Sequence, residues 1–179
     1  MKKILITLII FLNVSCNNKT QNKIVTVDGI NFLIPSGFKL LKPDKEVNEI
    51  LKIALNNDMY IVVQNDLGDV IKQNPEFEDY AFDMVHLRKF GMMKKNYNGY
   101  NISMRSVYKI NGRKVSEQGF LSKANVGDVY YKYFLVETSN NFLEVILSGK
   151  LDLKPKQEKI IKEFIENIDY KPTEQVKNE

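Results

Sequence analysis

The sequence predicts a mixed α/β (α+β) domain, an α/β/α sandwich around a mainly antiparallel sheet, with an N-terminal hairpin and a C-terminal amphipathic helix. Three observations predict it. Asp28-Gly29 and Asn111-Gly112 each separate two apolar runs and are the residue pairs that a type I′ hairpin turn favours. Val129, Tyr131, Tyr133 and Leu135 form one strand face while Tyr130, Phe134 and Val136 form the other, and a strand apolar on both faces needs cover on both sides of its sheet. After Pro155, the residues Ile160, Ile161, Phe164, Ile165 and Ile168 recur at helical spacing and supply one of those covers.

Taken in order, Ile24 to Val27, Asp28-Gly29 and Ile30 to Ile34 read as strand, turn and strand, closed by Pro35-Ser36-Gly37. Beyond Pro43, the spacing of Val47, Ile50, Leu51, Ala54 and Leu55 predicts a short helix, and Met59 to Val63 a compact strand. Asn74-Pro75 is an N-cap followed by proline at the first helical position. The helix it opens carries Phe77, Tyr80, Ala81, Met84, Leu87 and Phe90 on one face and ends at Gly91 or Asn96. Sequential antiparallel strands follow over Tyr100 to Ile110, Arg113 to Ser122, Val129 to Thr138 and Phe142 to Ser148, the last interrupted only by Glu144. The terminal helix covers one face of this meander and the earlier helices cover the other.

Residues 24–171 are enough for one domain with a sizeable core, since about 150 residues bury roughly two-thirds of their unfolded surface. Residues 1–15 read as a signal peptide: Lys2 and Lys3 form its basic start, and Ile4 to Leu12 its apolar stretch. That run is far short of the ~20 apolar residues that span a bilayer. Asn13-Val14-Ser15-Cys16 resembles a lipobox, which makes Cys16, the only cysteine, the expected lipid attachment site. In an oxidising compartment a lone cysteine can form no internal disulfide, and acylation consumes it. Two or three acyl chains anchor stably where one is marginal.

Asn13 stands where such motifs usually carry an aliphatic residue, with Leu12 one place early. Ordinary cleavage after Cys16, with Val14 and Cys16 as the small residues, is therefore the rival reading. Residues 16–23 form the lipidated N-terminus and polar tether, and residues 172–179 a flexible tail. No early Asp and no acidic cluster follows Cys16, which points to a periplasm-facing outer-membrane position in a bacterial cell envelope. Removing Lys2 and Lys3 from 26 basic residues leaves 24 against 22 acidic ones, a net +2 without a concentrated basic stripe, so nucleic-acid binding is not expected.

The order of hairpin, helices, antiparallel meander and terminal amphipathic helix resembles the PsbP-like group, which includes the photosystem extrinsic subunit P and the DcrB-type bacterial lipoproteins. The resemblance is carried by Val27-Asp28-Gly29-Ile30-Asn31-Phe32-Leu33-Ile34-Pro35-Ser36-Gly37-Phe38 and by Tyr108 to Ile168. It implies the α/β/α sandwich and a binding, assembly or chaperone-like accessory role. It carries no site residue, and fold alone does not assign function.

Candidate chemistry is sparse. His86 is the only histidine, so multi-histidine metal sites are excluded. Asp79, Asp83 and His86 fall at i, i+4 and i+7 and could hold a weak metal ion, but the simpler reading is a solvated helix face with charges matched to the dipole. Glu117, Asp128, Glu137 and Glu144 are candidate paired carboxylates, with exposed strand positions as the simpler account. Tyr97, Tyr100, Tyr108, Tyr130, Tyr131 and Tyr133 could line an aromatic groove, against core and sheet packing. No phosphate loop, dinucleotide fingerprint, nucleophile elbow or calcium loop occurs.

The expectation is a non-enzymatic, lipid-anchored envelope protein with no cofactor, held to the membrane by N-terminal acyl chains and binding an envelope protein or a small ligand. The alternative is a small-ligand or lipid carrier with an aromatic cavity. A divergent hydrolase or metal enzyme comes last.

Overall fold

The computed structural model describes residues 22–66, 78–124, 127–138 and 142–168. The signal segment, Cys16, most of the tether, Asn74-Pro75 and the tail lie outside them. The N-terminal hairpin pairs β1 (Lys23–Val27) with β2 (Ile30–Ile34) in the register Val27↔Ile30. Asp28 and Gly29 both have positive φ, 51° and 75°, as a type I′ turn demands. The remaining strands are β3 (Lys39–Leu40), β4 (Glu49–Leu55), β5 (Met59–Asp66), β6 (Tyr100–Asn101), β7 (Ser106–Ile110), β8 (Arg113–Ala124), β9 (Gly127–Glu137) and β10 (Phe142–Lys150). They form one antiparallel sheet in the order β3-β4-β5-β10-β9-β8-β6, with β7 also on β8. The helices are α1 (Glu78–Asn96) and α2 (Lys154–Glu166).

Both faces of β9 are covered, as its two-sided apolar pattern requires. One face of the sheet carries Leu51, Ile53, Ile61, Val63, Val145, Leu147, Tyr130, Phe134 and Val136 against the hairpin and α2, where Phe32 stacks on Phe164 at 6.1 Å. The other carries Phe120, Tyr133, Leu135 and Phe142 against Phe82, Val85, Phe90 and Met93 of α1. The expected α/β/α sandwich is the observed architecture.

Three expectations need correction. Residues 49–55 form β4 rather than a helix. Asp44 caps a single 3-10 turn over Lys45–Val47, and Asn48 then reverses the chain at φ 58°. Leu51 and Ile53 alternate inward, and pairing with β5 satisfies the backbone that a helix would have satisfied internally. The strand expected over Tyr100 to Ile110 is broken, because β6 and β7 pair with β8 at separate places, Leu121 and Phe120 for β6 and Glu117 to Arg113 for β7.

Third, α1 is rotated from its expected face. Met84 and Leu87 are 46 % and 54 % exposed, while Phe82, Val85, His86 and Phe90 are buried. The helix ends at Asn96, not Gly91, through Asn98 at φ 50° and the bonds Gly99 N to Lys94 O (2.8 Å) and Asn98 N to Lys95 O (3.1 Å). At the end of α2, the Arg113 guanidinium donates to the carbonyls of Ile168 (2.6 Å) and Ile165 (3.2 Å), adding a side-chain cap to the terminal turn, where Ile165 O also accepts from Ile168 N at 3.3 Å.

Candidate functional site

Helix α1 lies over β8 and β9, so the same face of β4, β5 and β10 is left as the floor of an open groove. Register puts Lys52 of β4 beside Val62 of β5, and pairs Tyr60, Val62 and Gln64 with Ser148, Ile146 and Glu144 of β10. Lys89, Met92, Met93, Asn96 and Tyr97 form the α1 wall, Val47 and Asn48 the opposite rim, and the space is about 720 Å³. Volumes of this order hold small organic ligands.

The groove is amphipathic and internally neutralised. Glu144 is buried in its floor and accepts from Lys89 Nζ at 2.9 Å, and Glu49 pairs with Lys52 at 3.3 Å. Buried carboxylates are tolerated when paired in this way. Around them are apolar or aromatic surfaces: Val47, Met92 and Tyr97 are exposed at the rims, and Tyr97 stacks on Tyr131 at 4.7 Å. Tyr131 in turn stacks on Phe120 at 4.8 Å, which fixes the aromatic wall to the core.

Behind this wall lies a buried polar cluster. His86 is 0 % exposed, against the expectation of a solvated helix face. Its ring stacks on Phe90 at 5.9 Å and meets Tyr133 edge-on at 5.1 Å. Ser116 Oγ accepts from Arg105 Nε at 2.8 Å and so turns its own proton to His86 Nδ1 at 3.0 Å, leaving Nε2–H to face Gln118 Oε1 at 3.5 Å. Burial, reinforced by the Arg105 guanidinium, lowers the imidazole pKa from 6.5 to about 4, against the Gln118 hydrogen bond and the Asp83 charge. Ser116 and His86 resemble a nucleophile–base pair only in contact. Both are fully buried, so no substrate carbonyl can reach Ser116 Oγ.

The other candidates do not converge. Asp83 turns to Arg105 at 2.5 Å rather than joining His86, the side chain of Asp79 lies outside the description, and no three metal-ligating side chains come together among the described residues. Glu117 and Glu144 point to opposite sheet faces. Glu117 accepts from Tyr108 Oη at 2.7 Å and pairs with Lys132 at 3.3 Å, while Lys132 also pairs with Glu158 of α2 at 2.5 Å. Asp128 is exposed opposite Lys123, and Glu137 is half-buried further along β9.

The tyrosines divide likewise. Tyr130 donates to Glu158 on the α2 face, Tyr133 is in the core beneath α1, Tyr100 is exposed, and of the six tyrosines expected to line a groove only Tyr97 and Tyr131 reach it. Burial and carboxylate hydrogen bonds raise the pKa of both Tyr108 and Tyr130, so these phenols stay protonated.

Sequence reasoning missed Arg105, Ser116 and Gln118 around His86, and Tyr60, Lys89 and Ile146 in the groove. A signal for the first set exists: Ser116, Gln118 and Phe120 alternate on one strand face, and polar residues on an inward face call for a buried polar partner. The groove has no such signal, because it depends on where α1 stops.

No protein-family model matches the chain, and no curated protein matches it significantly. Similarity appears among solved structures. The solution structure of cyanobacterial PsbP (CyanoP) from Synechocystis superposes with a TM-score of 0.56 at 9 % identity, covering 86 % of this chain and 96 % of that one. The crystal structure of LpqN, described as involved in cell envelope biogenesis of Mycobacterium tuberculosis, gives 0.52 at 15 % identity, covering 83 % and 89 %. At these identities the likeness is one of fold, and the fold is PsbP-like.

Proposed function

We propose that the chain is a non-enzymatic protein of the bacterial cell envelope, lipid-anchored through Cys16 in the manner of the DcrB-type lipoproteins, that acts as a binding or accessory module. The groove between α1 and the β4-β5-β10 face is its receiving surface. The observation that carries this reading is the groove's make-up: exposed apolar rims over a floor whose two carboxylates are already neutralised by lysines. Such a surface offers contact area and hydrogen bonds, with its lysines and carboxylates already paired to one another. The likeness of fold to an envelope-biogenesis protein supports the location.

A carrier of a small amphiphile is favoured by one specific observation, the three tyrosines Tyr60, Tyr97 and Tyr131 lining about 720 Å³. One experiment separates the two readings. Protein extracted from membranes is compared with Ile146→Arg, which places a charge in the middle of the floor, and with Met92→Glu at the exposed rim. A photo-crosslinker at Met92 that yields a defined protein adduct marks a protein partner, whereas an organic-extractable mass marks a carrier. In either case both variants should reduce occupancy about tenfold or more, roughly 1.4 kcal/mol of lost contact. Unchanged occupancy in both variants, with the fold intact by circular dichroism, rejects the groove.

A further inference from the structure

The groove lies on one side of β4, and the outer edge of the same strand carries a different surface. Lys39, Leu40, Leu41 and Lys42 are four consecutive exposed residues; β3 is the edge strand of the sheet, and Leu41 N donates to Lys52 O at 2.9 Å. Leu40 also shares a depression of about 380 Å³ with Lys23, Pro35 and Phe38. Lys23 is the residue at which the tether joins β1, and Asn22 is held to the same loop, its Oδ1 accepting from Ser36 N at 3.1 Å. The exit point of the tether and the Lys-Leu-Leu-Lys strip are therefore on one end of the molecule.

The tether turns this placement into a constraint. From Cys16 to Lys23 the chain reaches at most roughly 25 Å when fully extended. An acylated Cys16 thus holds Lys23 within roughly 25 Å of the bilayer, and of the domain's surfaces the one adjoining Lys23 is held nearest the headgroups. What adjoins it is two exposed leucines flanked by lysines. Lys23, Lys39 and Lys42 make no ion pair among the described residues, so their charges are available. Basic residues with adjacent apolar side chains are the composition that binds anionic lipid surfaces.

We infer that the strip Lys39-Leu40-Leu41-Lys42, with Lys23, docks the domain against an anionic phospholipid surface. It orients the domain so that the β3 edge lies on the membrane and the opposite edge, at β6 and β7, points away. The inference rests on the anchored reading of Cys16, which the test below scores separately.

The mature chain is purified in detergent and reconstituted on vesicles of phosphatidylcholine, alone or with phosphatidylglycerol. An environment-sensitive fluorophore is placed at Leu40→Cys or, as control, at Met104→Cys between β6 and β7, where the side chain is 90 % exposed. The label at position 40 should shift to the blue and be quenched by lipids spin-labelled at headgroup depth when phosphatidylglycerol is present. The label at position 104 should not. Lys39→Glu with Lys42→Glu should weaken the association by roughly fivefold per lysine and remove its dependence on the anionic lipid.

Equal emission at position 40 with and without phosphatidylglycerol, in protein whose intact mass includes acyl chains, overturns the docking face and leaves the anchor standing. Quenching at position 40 in protein without acyl mass supports the face and removes the anchor. A lipid-independent change with a doubled mass in solution assigns β3 to pairing between two copies, with its lysines as edge protection, and overturns the membrane face.

Discussion

Lowering the pH from about 7 to about 4 is expected to remove about 3 kcal/mol of folding stability through His86 alone, a loss that His86→Gln should not show. The folded imidazole titrates near 4 and the unfolded one near 6.5. Above 6.5 both states are neutral and the histidine contributes no pH dependence. Between those values the unfolded chain binds a proton that the folded chain refuses, so stability falls steadily with pH. Below about 4 the folded state protonates too and the loss levels off. Carboxylates titrate in both proteins, so the difference between their urea midpoints across pH isolates the histidine. Parallel curves would mean that protons reach His86 in the folded state, contradicting its burial beneath α1.

The second large effect concerns the same helix. Phe82→Ala should cost about 3–5 kcal/mol, the range for a buried phenylalanine, because it empties the space beside Phe142, whose ring it meets edge-on at 5.5 Å. Met84→Ala, two residues on, should stay within about 0.5 kcal/mol because that side chain faces solvent. Urea denaturation with an unchanged slope reads both. A larger loss at Met84 than at Phe82 would place α1 in the orientation its sequence spacing predicts rather than the observed one.

That contrast shows what the sequence made legible. The hairpins were plain because Asp28-Gly29 and Asn111-Gly112 demand positive φ at both turn positions, a local and unambiguous requirement. Tyr130 to Val136 announced the sandwich because alternation with apolar residues on both faces has one structural solution. In α2, Ile161, Phe164 and Ile165 fall on one face while the intervening Lys162 and Glu163 are exposed, and the buried stripe is the expected one.

Helix α1 carries apolar residues around its circumference, so spacing could not choose between Met84 with Leu87 and Phe82 with Val85. The sheet chose, by offering Ser116 and Gln118 to His86. Residues 47–55 satisfied helical spacing by coincidence, since Leu51 and Ile53 serve equally as alternating strand residues, and pairing with β5 decided between them. The groove was illegible for a related reason: its floor comes from three strands and its wall from a helix distant in sequence. Of the aromatic residues singled out, only Tyr97 and Tyr131 reach it.

The proposed function and the proposed docking face both require the folded module to be tethered through Cys16. The intact mass of protein extracted from membranes tests that tether most directly. A chain that begins at Cys16 and carries a diacylglyceryl group and an amide-linked acyl chain is the predicted result, with Cys16→Ser shifting the protein out of the membrane fraction. A chain that begins after Cys16, bears no acyl mass and partitions into the aqueous phase would contradict it.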